Sequence, residues 1–541
     1  MVAWSFPRLS FAVLLLAVAI PILLAQRDGA SGRIRQWVAR YRNAVTAIAL
    51  GAAIVEATHY LVVAHPVIGG LDFFYYVCTA RDNLYEVAGA SLSRYGYFPG
   101  GYRFWEAVLG LFGEQLATLQ YAVAGVLAAN AALVGAIVVR AANRVPAGML
   151  AGLLYVALAS RFEGLEGTTE PIATLFALLG VLAWGGRPLR GPAGWRRAVL
   201  LGVGLGLAVW AKQQGGIVAI GALALLVTNA LVRRDERSAW VQMAAVPLVA
   251  ALVLLGAVLL EGHGLIPLRI GLGAVGQYEV VGSFGGNVRA LIGRAGVAGW
   301  LALIALVLWS ATAAIPRLRH IHAEPWVAIV SFSLIASLAT LAQFSKRPYL
   351  HYALLAAPFL SIAITLVCVR IWQAAAVRKP QAASLVALAL AGVLAMPMVG
   401  SMGSQGFFQI WPLTWNPRVA HETPWHLLPD VAPDVRSIGA LVTPGEDLLV
   451  VPPRRNVLHF LLGTRSISSP MQYGWGPQDV SPALMSPSLS AVIVLDRRTL
   501  DETDIQTCAS TFCDRTVAAL AENGFVKTAE LKTMTLWRRV R

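Results

Sequence analysis

Twelve apolar segments, each near the length of a membrane span, constrain this chain more than any other feature of its sequence. Of its 541 residues, 57% are hydrophobic and only 13% are charged, whereas a soluble domain carries roughly 25% charged residues. A bilayer core of about 30 Å is crossed by about 20 apolar residues in a helix. We therefore predict a polytopic membrane protein, with spans near 9–25, 43–64, 116–139, 146–159, 171–186, 198–211, 214–232, 241–260, 298–315, 326–344, 352–370 and 383–401.

The basic residues predict how these spans are oriented. The net charge is +15, and arginine and lysine cluster in the short loops 27–42, 187–197, 233–237, 317–319 and 370–379. Because cytoplasmic loops are enriched in basic residues, the charge is explained by orientation in an inner or plasma membrane and does not indicate nucleic acid. Both termini and the loops 65–115, 160–170, 211–214, 261–297 and 345–351 are then predicted to be extracytoplasmic. Segment 9–25 is interpreted as an uncleaved helix and not a signal peptide.

The chain changes character near residue 403, which divides a membrane domain, 1–402, from a C-terminal domain, 403–541. The runs DLLVV (447–451) and SAVIVLD (490–496) are strand-like, and NVLHFLLG and RTVAALAENG are helix-like. The predicted fold class is therefore mainly α, a transmembrane bundle of about twelve spans, followed by a small extracytoplasmic α/β domain. Cys508 and Cys513 could form a disulfide on an oxidising face if a turn separates them, or be free thiols. Cys78 and Cys368 are predicted to be unpaired.

The first long outer loop, 65–115, contains the acid that we single out as a candidate catalytic group. Asp72 follows the second span and is flanked by glycines and by the aromatic run Phe73–Tyr76. The aromatic run could be an interfacial belt, and Asp72 a solvated acid or a helix N-cap. Alternatively, Asp72 is a carboxylate at the membrane boundary, beside rings that can pack against sugar faces.

The second outer loop, SRFEGLEGTTEP, contains three carboxylates, those of Glu163, Glu166 and Glu170. Such a group could hold an acceptor or a divalent cation, Mg²⁺ or Mn²⁺, although the sequence does not require a metal. Glu170 has a structural explanation as well: Thr169 is expected to cap the next span, which Glu170 and Pro171 begin.

Two further outer turns contain cations, against the positive-inside bias. Lys212 lies in WAKQQGG, where it could snorkel to the interface or contact a lipid-linked phosphate. The turn FSKRPYLHYALLAAPF adds Lys346, Arg347 and His351. Anionic lipid headgroups are suitable partners for such charges.

The order of these motifs carries a resemblance. Along the chain, an acid after an early span is followed by the segments YFPGGYRF, EGTTEP, WAKQQG and KRPYLHYALLAAPF. In this order they resemble the GT-C membrane glycosyltransferases, in the group of protein O-mannosyltransferases and aminoarabinose transferases, over roughly residues 43–370. One departure is that Asp72 is followed by Phe73, where many members have a second acid. The first span and the C-terminal domain fall outside the match.

The resemblance implies an inverting transfer of a monosaccharide from a polyprenyl-phosphate donor to a hydroxyl of an envelope glycan, lipid or protein. Asp72 would accept the hydroxyl proton, and Lys212, Lys346, Arg347 and His351 would bind the donor phosphate. Glu163, Glu166 and Glu170 would serve the acceptor or a metal. The implied substrate-lining residues are Tyr75, Tyr97, Tyr102, Gln213 and Tyr352. A flippase or transporter of polyprenyl-linked glycans, or a polysaccharide ligase, is the alternative, although no repeat relates the two halves as in many transporters.

Overall fold

The structure is a computed structural model, and it describes residues 71–84, 98–162, 167–233, 237–269, 324–344, 350–378, 432–452, 457–467, 481–500 and 513–540, with isolated positions between 272 and 307. By its internal contacts the chain divides into two compact units. One comprises 1–65, 120–260 and 278–417, and the other comprises 66–119, 261–277 and 418–541. The predicted boundary at 402/403 lies outside the described residues.

The first unit is helical throughout its described part. Its helices are α3 (Leu116–Ala142), α4 (Val145–Arg161), α5 (Glu170–Trp184), α6 (Gly191–Ala211), α7 (Gly215–Arg233), α8 (Arg237–Leu260), α9 (Pro325–Phe344) and α10 (Ala357–Arg378), with a 3-10 helix (Leu350–Leu355) before α10. These correspond to eight of the twelve predicted spans. The other four lie almost entirely outside the described residues, so the span count stays a prediction.

Two helix starts differ clearly from the prediction. Helix α6 begins at Gly191 and not at 198, because Pro192 suits a first helical turn and the basic residues that follow are part of the helix. Helix α10 begins at Ala357 and not at 352, because Pro358 interrupts helical hydrogen bonding and again fits only a first turn. The residues before it form the separate 3-10 helix.

Glycines set the distance between the central helices. Helix α6 packs against both α5 and α8. A Cβ on Gly204 would lie 2.7 Å from the Cα of Gly180 on α5, and one on Gly202 would lie 2.7 Å from the carbonyl oxygen of Val246 on α8. Small residues let backbones approach closely, which is how helices associate where lipid removes the hydrophobic driving force.

One helix of the helical unit has an apolar outer face. Helix α8 exposes Leu248, Leu252, Leu255 and Leu259, which share one helix face. Within the described part of the chain, Thr118–Ala142 and Trp240–Leu260 are long and apolar enough to cross a membrane, and five shorter helices are similarly apolar. An exposed leucine stripe on such a helix is the surface expected of a protein in lipid.

The second unit contains a mixed five-stranded sheet, as the strand-like runs indicated. The strands are β1 (Asp447–Val451), β2 (Arg465–Ser466), β3 (Ala491–Leu495), β4 (Phe525–Glu530) and β5 (Met534–Arg539), in the order β2-β1-β3-β5-β4. Strand β1 pairs in parallel with β2 and β3, whereas β5 is antiparallel to both β3 and β4.

Helices cover both faces of this sheet. Helices α11 (Ala432–Gly439) and α12 (Val457–Leu462) pack with Leu448 and Val450 on one face. Helix α13 (Cys513–Ala518) lies on the other face, where Leu449 and Val451 point. The strict alternation along β1 therefore serves two cores at once. Cys513 is in a disulfide, and Cys78 and Cys368 are buried cysteines outside any disulfide; the predicted partner of Cys513, Cys508, lies outside the described residues.

The first long loop belongs to this second unit and is partly helical. It contains α1 (Leu71–Leu84) and α2 (Gly100–Phe112), which the sequence analysis treated as loop. The aromatic run on α1 is buried, which differs from an exposed interfacial belt: Phe73 packs on Trp105 of α2, and Phe74 lies against Phe460 of α12. This aromatic core holds α1 against both α2 and the sheet region.

Candidate active site

Three of the predicted motifs come together in the helical unit. The segment EGTTEP ends at the start of α5, the segment AKQQ links α6 to α7, and LHYALL forms the 3-10 helix. Helix α5 packs along α6 and also contacts the 3-10 helix. Residues that are far apart in sequence therefore surround one polar centre inside an apolar bundle.

An ion pair between Lys212 and Glu170 forms this centre. The Lys212 Nζ atom lies 3.0 Å from Glu170 Oε1, and the two side chains are 2% and 0% exposed. Glu170 is the first residue of α5, and Lys212 follows the last residue of α6. Each charge therefore lies at the helix end whose dipole favours it, and each neutralises the other. Lys212 is sunk in the bundle and does not snorkel to the surface.

The start of α5 corrects one expectation. Thr169 precedes the helix, but its side chain makes no capping hydrogen bond. The carbonyl oxygen of Thr169 does accept hydrogen bonds from the amides of Ile172 and Ala173, which closes the first turn. The helix start therefore depends on Pro171 and on the ion pair of Glu170, and leaves the threonine hydroxyl unused within the structure.

Four polar side chains beside the ion pair are buried without a hydrogen-bond partner in the structure. Both amide atoms of Gln213 and of Gln214 lack one, and so do the hydroxyls of Thr168 and Thr169. Gln213 is 8% exposed and Gln214 is 3% exposed. Of these, sequence reasoning identified only Gln213. The others could have been found from their position in the sequence, because each lies within two residues of Lys212 or Glu170.

The 3-10 helix supplies an imidazole to the same region. His351 is half-buried, lies close enough to Glu170 to interact with it electrostatically, and packs edge-on against Tyr352 with ring centroids 4.5 Å apart. Tyr352 itself is buried. The predicted cations Lys346 and Arg347 lie outside the described residues.

The remaining predicted site residues belong to the second unit or lie outside the described residues. Asp72 is the second residue of α1. Tyr75 and Tyr102 are core residues, and the Tyr102 hydroxyl donates to the Tyr75 oxygen at 2.8 Å. Tyr97, Glu163 and Glu166 are outside the described residues. Among the residues that the structure does describe, no group of three or more His, Cys, Asp or Glu side chains could hold a metal ion.

Sequence reasoning missed a second set of buried charges, in the sheet-containing unit. Arg81 of α1 is buried and donates hydrogen bonds to the carbonyl oxygens of His459 and Thr464, at the C-terminal end of α12. Burial and the nearby Arg81 charge lower the pKa of His459 to about 3, so this imidazole is neutral. The guanidinium therefore fastens α1, the helix that contains Asp72, to the end of α12.

A further ion-pair group holds α2. The Arg103 guanidinium donates to Glu261, with Nε 2.8 Å from Oε2, and it also pairs with Glu106. Asn83 of α1 donates to the other oxygen of Glu106 at 2.6 Å. Although burial opposes it, the two carboxylates raise the pKa of Arg103. These contacts join α1, α2 and the segment after α8 within one unit.

Neither a protein-family model nor a curated protein matches the sequence. Solved structures do match the fold. The structure of ArnT from Cupriavidus metallidurans in the apo state covers 91% of this chain and 98% of its own, with a TM-score of 0.54 and 15% identity. The archaeal oligosaccharyltransferase AglB from Archaeoglobus fulgidus, in complex with an inhibitory peptide and a dolichol-phosphate, covers 92% of this chain and 74% of its own, with a TM-score of 0.51 and 11% identity.

The chain has the same fold as these two solved structures, which is the fold that the resemblance to the GT-C membrane glycosyltransferases implies. This confirms the resemblance drawn from the motifs. At these identities the likeness establishes the fold, and the chemistry has to be argued from the polar centre at Lys212 and Glu170.

Proposed function

We propose that this protein is an integral membrane glycosyltransferase that moves a monosaccharide from a polyprenyl-phosphate donor to an acceptor hydroxyl on the extracytoplasmic face, with inversion at the anomeric carbon. The observation that carries the proposal is the buried Lys212–Glu170 pair, surrounded by polar side chains without partners, inside a bundle with the GT-C fold. A purely structural helix contact would not need four unsatisfied polar groups.

Lys212 is the proposed phosphate ligand. A buried ammonium attracts an anion strongly because the surroundings screen its charge poorly. A phosphate entering this centre would share the ammonium with the Glu170 carboxylate, and the His351 imidazole next to it could contribute a second positive charge when protonated. Charge develops on the phosphate oxygen as it leaves, so a cation fixed in advance stabilises the transition state. Lys346 and Arg347 are proposed to complete this cationic group.

Asp72 is the proposed general base. In the reaction, the acceptor oxygen forms a bond to the anomeric carbon while the bond from that carbon to the phosphate oxygen breaks, and its electron pair stays on the lipid phosphate. The hydroxyl proton passes to the Asp72 carboxylate. Attack opposite the leaving group inverts the anomeric configuration. The packing of α1 through Phe73, Phe74 and Arg81 would fix the position of the helix that contains this acid.

The acceptor is proposed to be an envelope glycan, lipid or protein hydroxyl. Glu163 and Glu166 directly precede, in the sequence, the segment that enters α5, and they are proposed to orient the acceptor. They could also hold a divalent cation, Mg²⁺ or Mn²⁺, since hard cations favour carboxylate oxygens. Treatment of the active protein with EDTA distinguishes the two roles, because only the second depends on a removable ion.

Asp72→Asn and Lys212→Met test the proposal together. Purified protein in nanodiscs receives radiolabelled polyprenyl-phosphate sugars and membrane extract as acceptor. We expect Asp72→Asn to reduce transfer by roughly 10²- to 10⁴-fold, the usual contribution of a general base, and to bind labelled polyprenyl phosphate normally. Lys212→Met should weaken that binding. Asp514→Asn, the same change at an exposed ion pair with Arg497, is the matched control and should alter neither.

Two results would overturn parts of this proposal. If Asp72→Asn transfers sugar at the wild-type rate, Asp72 is not the general base. If no donor is consumed by the wild type but labelled lipid binds through Lys212, the transfer reaction is wrong, and a flippase or ligase that recognises the polyprenyl phosphate takes its place.

A further inference from the structure

The turn between α6 and α7 holds two amide side chains in an environment that ordinarily excludes them. Gln213 and Gln214 are both more than nine-tenths buried, and neither amide oxygen nor nitrogen has a hydrogen-bond partner in the structure. Leaving one buried polar group unsatisfied destabilises a fold by about 1–3 kcal/mol. Four such groups in consecutive residues are therefore a strong indication that something other than the chain satisfies them.

Single buried polar atoms without a partner occur elsewhere in the described bundle, among them the amide oxygen of Gln242 and the hydroxyls of Ser333 and Thr365, but the two glutamines of the turn lack a partner at both ends of the amide. Gln242 on α8 is also 3% exposed, but its amide nitrogen donates to the carbonyl oxygen of Gly191 at 3.0 Å. In the part of the chain that the structure describes, neither glutamine of the turn donates such a hydrogen bond to a backbone carbonyl. They follow Lys212 directly, and Thr168 and Thr169, whose hydroxyls are equally buried and unpartnered, directly precede Glu170. The unsatisfied groups thus flank both members of the ion pair.

The chemistry of an amide selects what can satisfy it. Each glutamine offers two N–H donors and one carbonyl acceptor, without a net charge. A phosphate oxygen only accepts, so it would leave both amide oxygens unpaired. An ammonium group only donates, and a carboxylate only accepts. A hydroxyl group donates and accepts at once, and neighbouring hydroxyls on a sugar ring can serve both ends of one amide. The two threonine hydroxyls have the same dual capacity.

We infer that Gln213 and Gln214 form a subsite for vicinal, uncharged hydroxyl groups of the donor sugar, next to the phosphate held by Lys212, and that they determine which sugar is accepted. The inference rests on the proposed function and adds which residues select the donor sugar. Lys212 would recognise the part common to all polyprenyl-phosphate donors, and the two amides would recognise the sugar. A site built to hydrogen-bond a hydroxyl discriminates strongly against an analogue that lacks it, because its own polar groups are then left unpaired.

Gln213→Met and Gln214→Met, which keep the length of the side chain and remove its polar atoms, test the inference. The wild type and both variants are given the preferred polyprenyl-phosphate sugar and a series of its monodeoxy analogues, and donor binding and kcat/KM are measured for each. Polyprenyl phosphate without a sugar is the probe for the phosphate contact. Gln242→Met is the matched control, because it removes an equally buried amide whose partner lies elsewhere.

We expect each variant to lose about 10- to 100-fold in kcat/KM for the full donor while it binds polyprenyl phosphate like the wild type, which also shows that it is folded. For the wild type, one deoxy analogue should have a much lower kcat/KM than the full donor. The variant that lacks the amide facing the missing hydroxyl should use this analogue and the full donor equally well. Gln242→Met should keep the wild-type ranking of donors.

Two outcomes would contradict the inference, and they are distinguishable. If the wild type transfers sugar and both glutamine variants keep the full discrimination among deoxy donors, the subsite is wrong and the proposed function stands. If the wild type neither transfers any sugar nor binds any sugar phosphate more tightly than polyprenyl phosphate alone, both the subsite and the proposed function are wrong.

Discussion

Replacing only one member of the Lys212–Glu170 pair should destabilise the protein far more than replacing both. The pair is almost completely buried, with 3.0 Å between Nζ and Oε1. Removing one partner of a buried ion pair costs about 3–5 kcal/mol because the other charge is left uncompensated. Replacing both by apolar side chains of similar volume is often neutral or even stabilising. We therefore expect Lys212→Met and Glu170→Leu each to lose about 3–5 kcal/mol of unfolding free energy.

The double variant Lys212→Met/Glu170→Leu should lose much less than the sum of the two, which gives a coupling energy of several kcal/mol. Unfolding of the full chain in mild-detergent micelles by SDS, followed through tryptophan fluorescence, measures all four proteins under one condition. The double variant also separates stability from function, since it should be folded and yet fail to bind polyprenyl phosphate. Additive losses, or a single-variant loss below about 1 kcal/mol, would refute a coupled buried pair.

Three further predictions concern the rest of the fold. Because His459 stays neutral in the folded state down to a pKa of about 3 while the unfolded chain binds a proton below pH 6.5, stability should fall by up to about 1.4 kcal/mol per pH unit from pH 6.5 towards 3; His459→Gln should flatten this dependence in acid unfolding of the full chain. Arg81→Met removes the guanidinium donor of the buried Thr464 carbonyl oxygen and one of the two donors of the His459 carbonyl oxygen, which keeps the Thr464 amide, and should lower the thermal midpoint clearly, whereas exposed Arg196→Met should not. Gly204→Val should lose about 1–3 kcal/mol by forcing α6 from α5, unlike Gly256→Val, whose Cβ meets no atom within 4 Å.

The helices of the membrane unit were the most predictable part of this chain. A run of apolar residues identifies a span whatever its neighbours are, and eight predicted spans correspond to described helices. Their ends were less accurate where arginines continue a helix, as in α6, or where a proline interrupts one, as before α10. In the first case hydropathy falls although the helix continues, and in the second hydropathy stays high although the helix is interrupted.

The first outer loop was harder to interpret because its helices are aromatic and polar. The run Phe73–Tyr76 fits a membrane belt as well as a protein core, and only its contacts with Trp105 and Phe460 decide between them. Likewise, β1 was predicted with its observed bounds from its unbroken apolar run, whereas β4 and β5 were not predicted. Their residues are largely polar because β4 is an edge strand and neither strand is buried along its whole length.

The candidate site was predictable as a set of motifs and not as an arrangement. The motifs around Glu170, Lys212 and His351 were found individually, since a charged residue beside an apolar span is conspicuous. That Lys212 pairs with Glu170, and that Gln214 and Thr168 are buried beside them, depends on how α5 packs against α6. Nothing local in either motif encodes that distance, which is set by the glycines further along both helices.

The most direct test of the account is the stereochemistry of the transferred sugar. Wild-type protein in nanodiscs receives a panel of polyprenyl-phosphate monosaccharides of defined anomeric configuration, and the product is isolated and its anomeric configuration determined by NMR. We expect one donor of the panel to be consumed and its sugar to appear on the acceptor with the opposite configuration. A product with the donor's own configuration, or bound donor that is never consumed, would contradict it.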